Sequence, residues 1–114
     1  MTGPKDRNHE IDIKSAAVIT QRHRERVAGQ GARGTKDGEL GGMFTKEAVI
    51  KLLSDPNSRY LRFYYGRNDE GGRELILVAA DGDGNDMIAD DAFALDTHWP
   101  CPPVCPTSPS TLRG

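Results

Sequence analysis

Both cysteines of the chain lie in Trp99-Pro-Cys101-Pro-Pro-Val-Cys105-Pro106, directly after His98. Thiolates are nucleophiles and soft metal ligands, and imidazole is both a base and a ligand, so this stretch has the richest chemistry in the sequence. His98, Cys101 and Cys105 supply three zinc donors, with His9 or His23 as a fourth, although C-x3-C flanked by prolines departs from the usual knuckle spacing. The two Cys-Pro dipeptides also suit a haem-responsive pair. A thiol–imidazole pair with His98 is opposed by the three residues sharing one extended tail. Two further readings need no small ligand: exposed thiols that cross-link neighbouring subunits or dock on a partner, and a plain strap in which Trp99 and the prolines pack over a sheet. A proline-rich run favours polyproline geometry, which at ~3.1 Å per residue would set the two Cα atoms roughly 12 Å apart, against a disulfide limit of ~7 Å. A bond between them requires a tight turn, for which a cis Pro102 or Pro103 is one route. In a reducing compartment the expectation is two free thiols.

The remaining motifs are weaker. Gly29-Gln-Gly31-Ala-Arg-Gly34 spells G-x-G-x-x-G. The dinucleotide fingerprint, however, needs a strand before it and a helix after it, and here a helical pattern precedes and a Gly-rich stretch follows. Asp81, Asp83 and Asn85 alternate like the opening of a calcium loop, but the sixth position is Asp86 and the twelfth Ala92, so a hairpin turn accounts for the same residues. The serines lack a nucleophile elbow, the histidines share no spacing, and the acids cluster in turns. The sequence therefore predicts a non-enzymatic protein with no cofactor, zinc being the alternative. Residues 1–36 carry 8 Lys+Arg against 4 acids and residues 37–114 carry 7 against 13, that is +4 and −6. Arg22, Arg24 and Arg26 form either a solvated helix face or a polyanion (nucleic-acid) surface, and the asymmetry equally suits head-to-tail contact between copies.

These residues are positioned by a short series of elements. With 114 residues, 36% of them hydrophobic, the chain is one domain's length. No apolar run approaches the ~18 residues of a membrane span, and the first ten residues are too polar for a signal peptide, so a cytoplasmic address is expected. Residues 1–10 read as a disordered N-terminus and 11–28 as a helix from Ile13 to Ala28, capped by Asp12 and stopped by Gly29. Its thin apolar stripe is Ile13, Ala16, Ala17, Thr20 and Val27. Residues 29–42, with six glycines, read as a linker. Residues 43–96 hold the core: a helix capped by Thr45, with Phe44 and Val49 as a staple and Asp55-Pro56 as its end, then an antiparallel meander. In the first strand Leu61, Phe63 and Tyr65 share one face, and Tyr60, Arg62 and Tyr64 the other. Leu75–Ala80 is apolar on both faces, Met87-Ile88 makes a third strand, and Ala92–Leu95 an edge strand or short helix. Residues 97–114 form a Pro/Cys-rich tail. The class is α+β, two helices packed on a three- to four-stranded antiparallel β-meander with a proline-rich C-terminal tail.

A core of that size is marginal by itself. One short helix covers one face of a strand that is apolar on both, and leaving Tyr60, Tyr64, Ile76 and Val78 in water forfeits several kcal/mol at ~25 cal/mol per Å². The sequence thus points to a homo-oligomer or a protein partner. The expected interaction residues are Tyr60, Arg62, Tyr64, Ile76 and Val78 on the sheet and Trp99, Cys101 and Cys105 on the tail.

The order of pieces resembles a group of short, functionally uncharacterised bacterial proteins. The likeness rests on Gln21-Arg-His-Arg24, on the helix Gly42-Met-Phe-Thr-Lys-Glu-Ala-Val-Ile-Lys-Leu-Leu53, on Leu61-Arg-Phe-Tyr-Tyr-Gly-Arg67, on Leu77 through Met87, and on the ending Cys101-Pro-Pro-Val-Cys105. It would span residues 11–106 and implies a bacterial protein with no activity to carry over. Such proteins often have Pro-Gly-Cys where this chain has Asn57-Ser58, so a partner for the tail cysteines at that point is absent here.

Overall fold

The computed structural model describes residues 7–31 and 38–114. Its elements are α1 (Ile13–Gly29), β1 (Gly41–Met43), α2 (Lys46–Leu52), β2 (Ser58–Arg67), β3 (Arg73–Asp81) and β4 (Trp99–Cys101). The class is α+β, with the strands in two small antiparallel sheets, β1–β4 and β2–β3. Two compact units result. Of the described residues, the hairpin unit comprises Phe44–His98 with Arg7, and the tail unit comprises 8–31, 38–43 and Trp99–Gly114. The expected disordered N-terminus, the linker and the Gly29–Gly34 motif fall partly outside the described residues.

In the tail unit, Asp12 caps α1 as its position predicts: its carboxylate accepts from the Ser15 N–H at 2.7 Å and the Ser15 hydroxyl at 3.1 Å. These bonds hold the Asp12 carboxyl below its ordinary pKa. The stripe is thinner than expected, because Ile13 stays exposed and Val27 is the buried residue of the helix. The end of the expected linker is instead a strand. Gly41, Gly42 and Met43 pair with Cys101, Pro100 and Trp99, and the Leu40 N–H donates to the Cys101 carbonyl at 2.7 Å. Glycines carry no strand propensity, so only the partner from the far end of the chain makes this segment extended.

The hairpin unit follows its local signals closely. Thr45 accepts from the Ala48 N–H at 3.2 Å and caps α2. Phe44 and Val49, the expected staple, both pack on the core of Leu52, Leu77 and Ala79, joined by Leu53, Leu75, Met87 and Leu95. The helix stops one residue before Leu53, short of Asp55-Pro56. The Ser58 hydroxyl then donates to the Leu53 and Asp55 carbonyls at 2.8 Å and ties the link into β2.

Two turns of one design bound β3. Asn68 and Asp81 each accept, through Oδ1, from the N–H groups two and four residues on. Each is followed at the third position by a glycine with φ 83°, Gly71 and Gly84, a conformation that favours glycine. The Asp81 carboxylate is thereby committed to backbone amides, in keeping with the turn reading of Asp81–Asn85.

The third and fourth strands of the expected meander shrink to single bridges, Ala80↔Asp86 and Leu77↔Leu95. Leu77 and Leu95 exchange both N–H···O bonds at 2.9 Å, and the Met87 N–H donates to the Ala79 carbonyl at 2.9 Å. The ladder goes no further because Ala89-Asp-Asp-Ala92 are turn residues, closed by the Ala92 N–H on the Ala89 carbonyl. Leu77→Ala, at the centre of the core, is expected to cost about 2–5 kcal/mol in urea unfolding, and Thr45→Ala about 1 kcal/mol through loss of the cap.

Candidate interaction surface

Strand order decides which backbone groups of the hairpin remain available. Because Leu77 spends its N–H and C=O on Leu95, its partner across the hairpin, Phe63, belongs to a pair that exchanges no ladder hydrogen bonds. Alternation then directs the N–H and C=O of Leu61, Phe63 and Tyr65 away from β3, along the outer edge of β2. Among the described residues no strand pairs with that edge.

The side chains of the same three residues are also exposed, at 45% for Leu61, 55% for Phe63 and 73% for Tyr65. The Phe63 and Tyr65 rings meet edge to face with centroids 5.7 Å apart. They share a sheet face with Leu75, Leu77 and Ala79, but α2 has only 7 residues, about 10 Å of helix. It packs on the β3 half of that face and leaves the β2 half open.

The other face, carrying the expected interaction residues, is arranged differently. Val78 is 6% exposed, Tyr60, Arg62 and Ile76 are half-buried, and Tyr64 remains exposed. Arg62 Nη1 donates to Asp86 Oδ1 at 2.6 Å and the Tyr64 hydroxyl donates to Asp86 Oδ2. Asp86 pairs with Ala80 on the edge of β3 opposite β2, so these two bonds run across β3 as a polar clip over Val78. Donation by Tyr64, then by Arg62, holds the Asp86 carboxyl below its ordinary range. The same bond to Asp86 raises the Tyr64 phenol above its own.

In the tail unit Cys101 and Cys105, expected as free thiols, are joined in a disulfide with Cα atoms 4.7 Å apart. The Cys101–Pro102 and Pro102–Pro103 bonds are both cis, and the turn is closed by the Val104 N–H on the Pro100 carbonyl at 2.8 Å. This is the tight turn that the sequence made a condition of the bond. Bonded sulfurs offer no thiolate to a metal, and His98 is buried, its ring centroid 6.1 Å from that of Phe44. Among the described residues no group of three His, Cys, Asp or Glu side chains is placed to hold a metal ion. Trp99 is exposed opposite Met43.

The three arginines of α1 do not share a face. Arg22 and Arg26 are exposed one turn apart, whereas Arg24 points elsewhere and donates to the Leu112 carbonyl at 2.8 Å and the Thr20 hydroxyl at 3.2 Å. Beside Arg24 a cavity of about 500 Å³ is lined by Val27, Leu40, Pro102 and Cys105.

Sequence reasoning placed Leu61, Phe63 and Tyr65 together on one face but assigned that face to the interior. The available signal was the shortness of the helix against the length of the strand. The hairpin unit thus defines a small antiparallel sheet with one apolar edge that no strand among the described residues pairs with. No protein-family model, no curated protein and no solved structure matches this chain.

The clip has a pH signature. Asp86 contributes stability that is present above the unfolded value of about 3.9 and is lost as pH falls through its lowered folded value. Tyr64 contributes stability that is present below about 10 and is lost as pH rises through its raised folded value. Urea midpoints measured across pH are expected to fall on both flanks. Asp86→Asn is expected to unfold earlier at neutral pH and to converge with the wild type in acid; parallel curves would remove the clip from the stability account.

Proposed function

We propose that this chain is a small, non-enzymatic protein-interaction module that associates by adding a strand to the outer edge of β2. The supporting observation is the coincidence, at Leu61, Phe63 and Tyr65, of outward-directed backbone groups with exposed apolar side chains. Long hydrophobic edge strands template pairing, and proteins that avoid it place charges, prolines or bulges there. Here Arg59 and Arg67 and the irregularity at Ser58/Tyr60 lie toward the ends of the strand, and Arg62 is turned to the opposite face, where it bonds Asp86. Sedimentation velocity over a wide concentration range is expected to show reversible association. Phe63→Lys with Tyr65→Lys is expected to hold the protein monomeric with unchanged circular dichroism. A wild-type monomer at every concentration would overturn the reading.

A second reading, a thiol-redox-responsive protein, is favoured by the Cys101–Cys105 bond, which staples the strand that pairs with β1. In a cytoplasm that reduces disulfides, the bond would open and close with the prevailing redox poise. Closing so short a loop contributes roughly 2 kcal/mol on the chain-entropy estimate. Reduction by a dithiol is expected to speed hydrogen exchange at the Leu40 amide and along β1 and β4, leaving β2 and β3 unchanged. Identical exchange in both states would count against it.

A further inference from the structure

We infer that Cys105 is the attacked sulfur of a thiol–disulfide exchange site, and that the thiol it takes is a small one carrying a carboxylate. This rests on the redox reading above and adds the point of attack and the class of substrate.

Access selects the sulfur. A thiolate opens a disulfide by attacking one sulfur nearly in line with the bond, so it must arrive from the side away from the leaving sulfur. Cys101 is 8% exposed and lies in β4, its carbonyl held by the Leu40 N–H. Cys105 is half-buried. Among the described residues, the cavity beside Arg24 is lined by Cys105 and not by Cys101. A second cavity, of about 580 Å³, is lined by both. Cys105 thus opens to two cavities and Cys101 to one.

The walls select the thiol. Arg24 and Arg113 line the first cavity, and Arg113 lines the second as well. Arg24 is half-buried and fixed through Nη1 by the Leu112 carbonyl and the Thr20 hydroxyl. Against these two guanidinium groups the described lining of the first cavity holds one carboxylate side chain, Glu25, which accepts from Gln21 at 3.0 Å. Guanidinium groups match carboxylates in charge and in geometry. Val27, Leu40 and Pro102 add an apolar wall for a short carbon chain, and about 500 Å³ lies in the range of small-molecule sites.

The exchange balances with the thiol as reductant. A substrate thiolate bonds to Cys105 Sγ, the Cys101–Cys105 bond breaks, and its electron pair leaves on Cys101 Sγ, which takes up a proton. A second substrate thiolate attacks the substrate sulfur of the mixed disulfide, and Cys105 leaves and is protonated in turn. Two thiols become one disulfide, and the protein gains two thiols. The staple beside the β1–β4 pairing is thereby opened.

The test uses the full-length oxidised chain and three small thiols, mercaptopropionate, mercaptoethanol and cysteamine, which are anionic, neutral and cationic. Each rate of opening is divided by the same thiol's rate on a small uncharged disulfide, which removes differences in intrinsic reactivity. At low salt the normalised rate is expected to be severalfold higher for mercaptopropionate than for cysteamine, with mercaptoethanol between them, and the spread is expected to close in molar salt. Arg113→Gln is expected to narrow the spread, Arg113→Lys to keep most of it, and Arg22→Gln, on the exposed side of α1, to leave it unchanged. After an early acid quench and alkylation, fragmentation mass spectrometry is expected to find the mixed disulfide on Cys105 and the alkylated thiol on Cys101. Equal normalised rates would overturn the anionic-thiol site while a reduction-dependent change in hydrogen exchange kept the redox reading. An adduct on Cys101 would overturn the choice of sulfur. Hydrogen exchange identical in both states would overturn the redox reading whatever the order of the rates, and a chain whose cysteines both stay free under mild oxidation would overturn both.

Discussion

The saturation of β3 is the constraint on which the hairpin unit depends. Leu77, Val78, Ala79 and Ala80 are buried in succession, so their backbone groups have to find partners within the chain. One edge of β3 is satisfied by β2. The other is satisfied by Leu95, Met87 and the Asp81–Asn85 turn, which meet it at isolated points rather than as strands. These partners fill one side and leave β2 at the rim.

From that placement the two faces acquire different characters. One receives α2, whose seven residues are enough for β3 and too few for β2. The other receives a polar clip, in which a carboxylate brought to the far edge of β3 draws Arg62 and Tyr64 across Val78. The lowering at Asp86 comes from the hydrogen bonds of Tyr64 and Arg62 against an opposing effect of burial, whereas at Tyr64 the bond to Asp86 comes first and burial adds to it. Among the described residues, the Leu61, Phe63 and Tyr65 side of the rim is an apolar surface that stays exposed. The proposed association follows from the same shortage of covering elements that limits any core of this size.

The tail unit is organised by a different device. Two short strands from distant parts of the sequence, one mostly glycine and one rich in proline, have little intrinsic reason to be extended. A three-residue pairing alone is marginal. The disulfide next to it and the Arg24 bond to the Leu112 carbonyl tie the same region down by side-chain means. That contrast with the hairpin unit, where packing does most of the work, is why redox chemistry is a sensible second reading for this part of the chain.

Local features were legible in the sequence because they depend on residues a few positions apart. Asp12 and Thr45 as caps, the Asp81–Asn85 turn, the alternation along β2 and the α+β class are set by residues close in the chain, and the sequence determined them by itself. The pairing of Gly41–Met43 with Trp99–Cys101, the closure of Cys101 on Cys105, the crossing of Asp86 to Arg62 and Tyr64, and the side of the hairpin left open were decided by tertiary structure. The first and third join groups far apart in the chain, the Cys101–Cys105 closure depends on a tight turn that proline-rich composition disfavours, and the open side turns on how far a helix reaches once it is packed. Residue types specified which contacts were chemically possible; three-dimensional proximity selected among them.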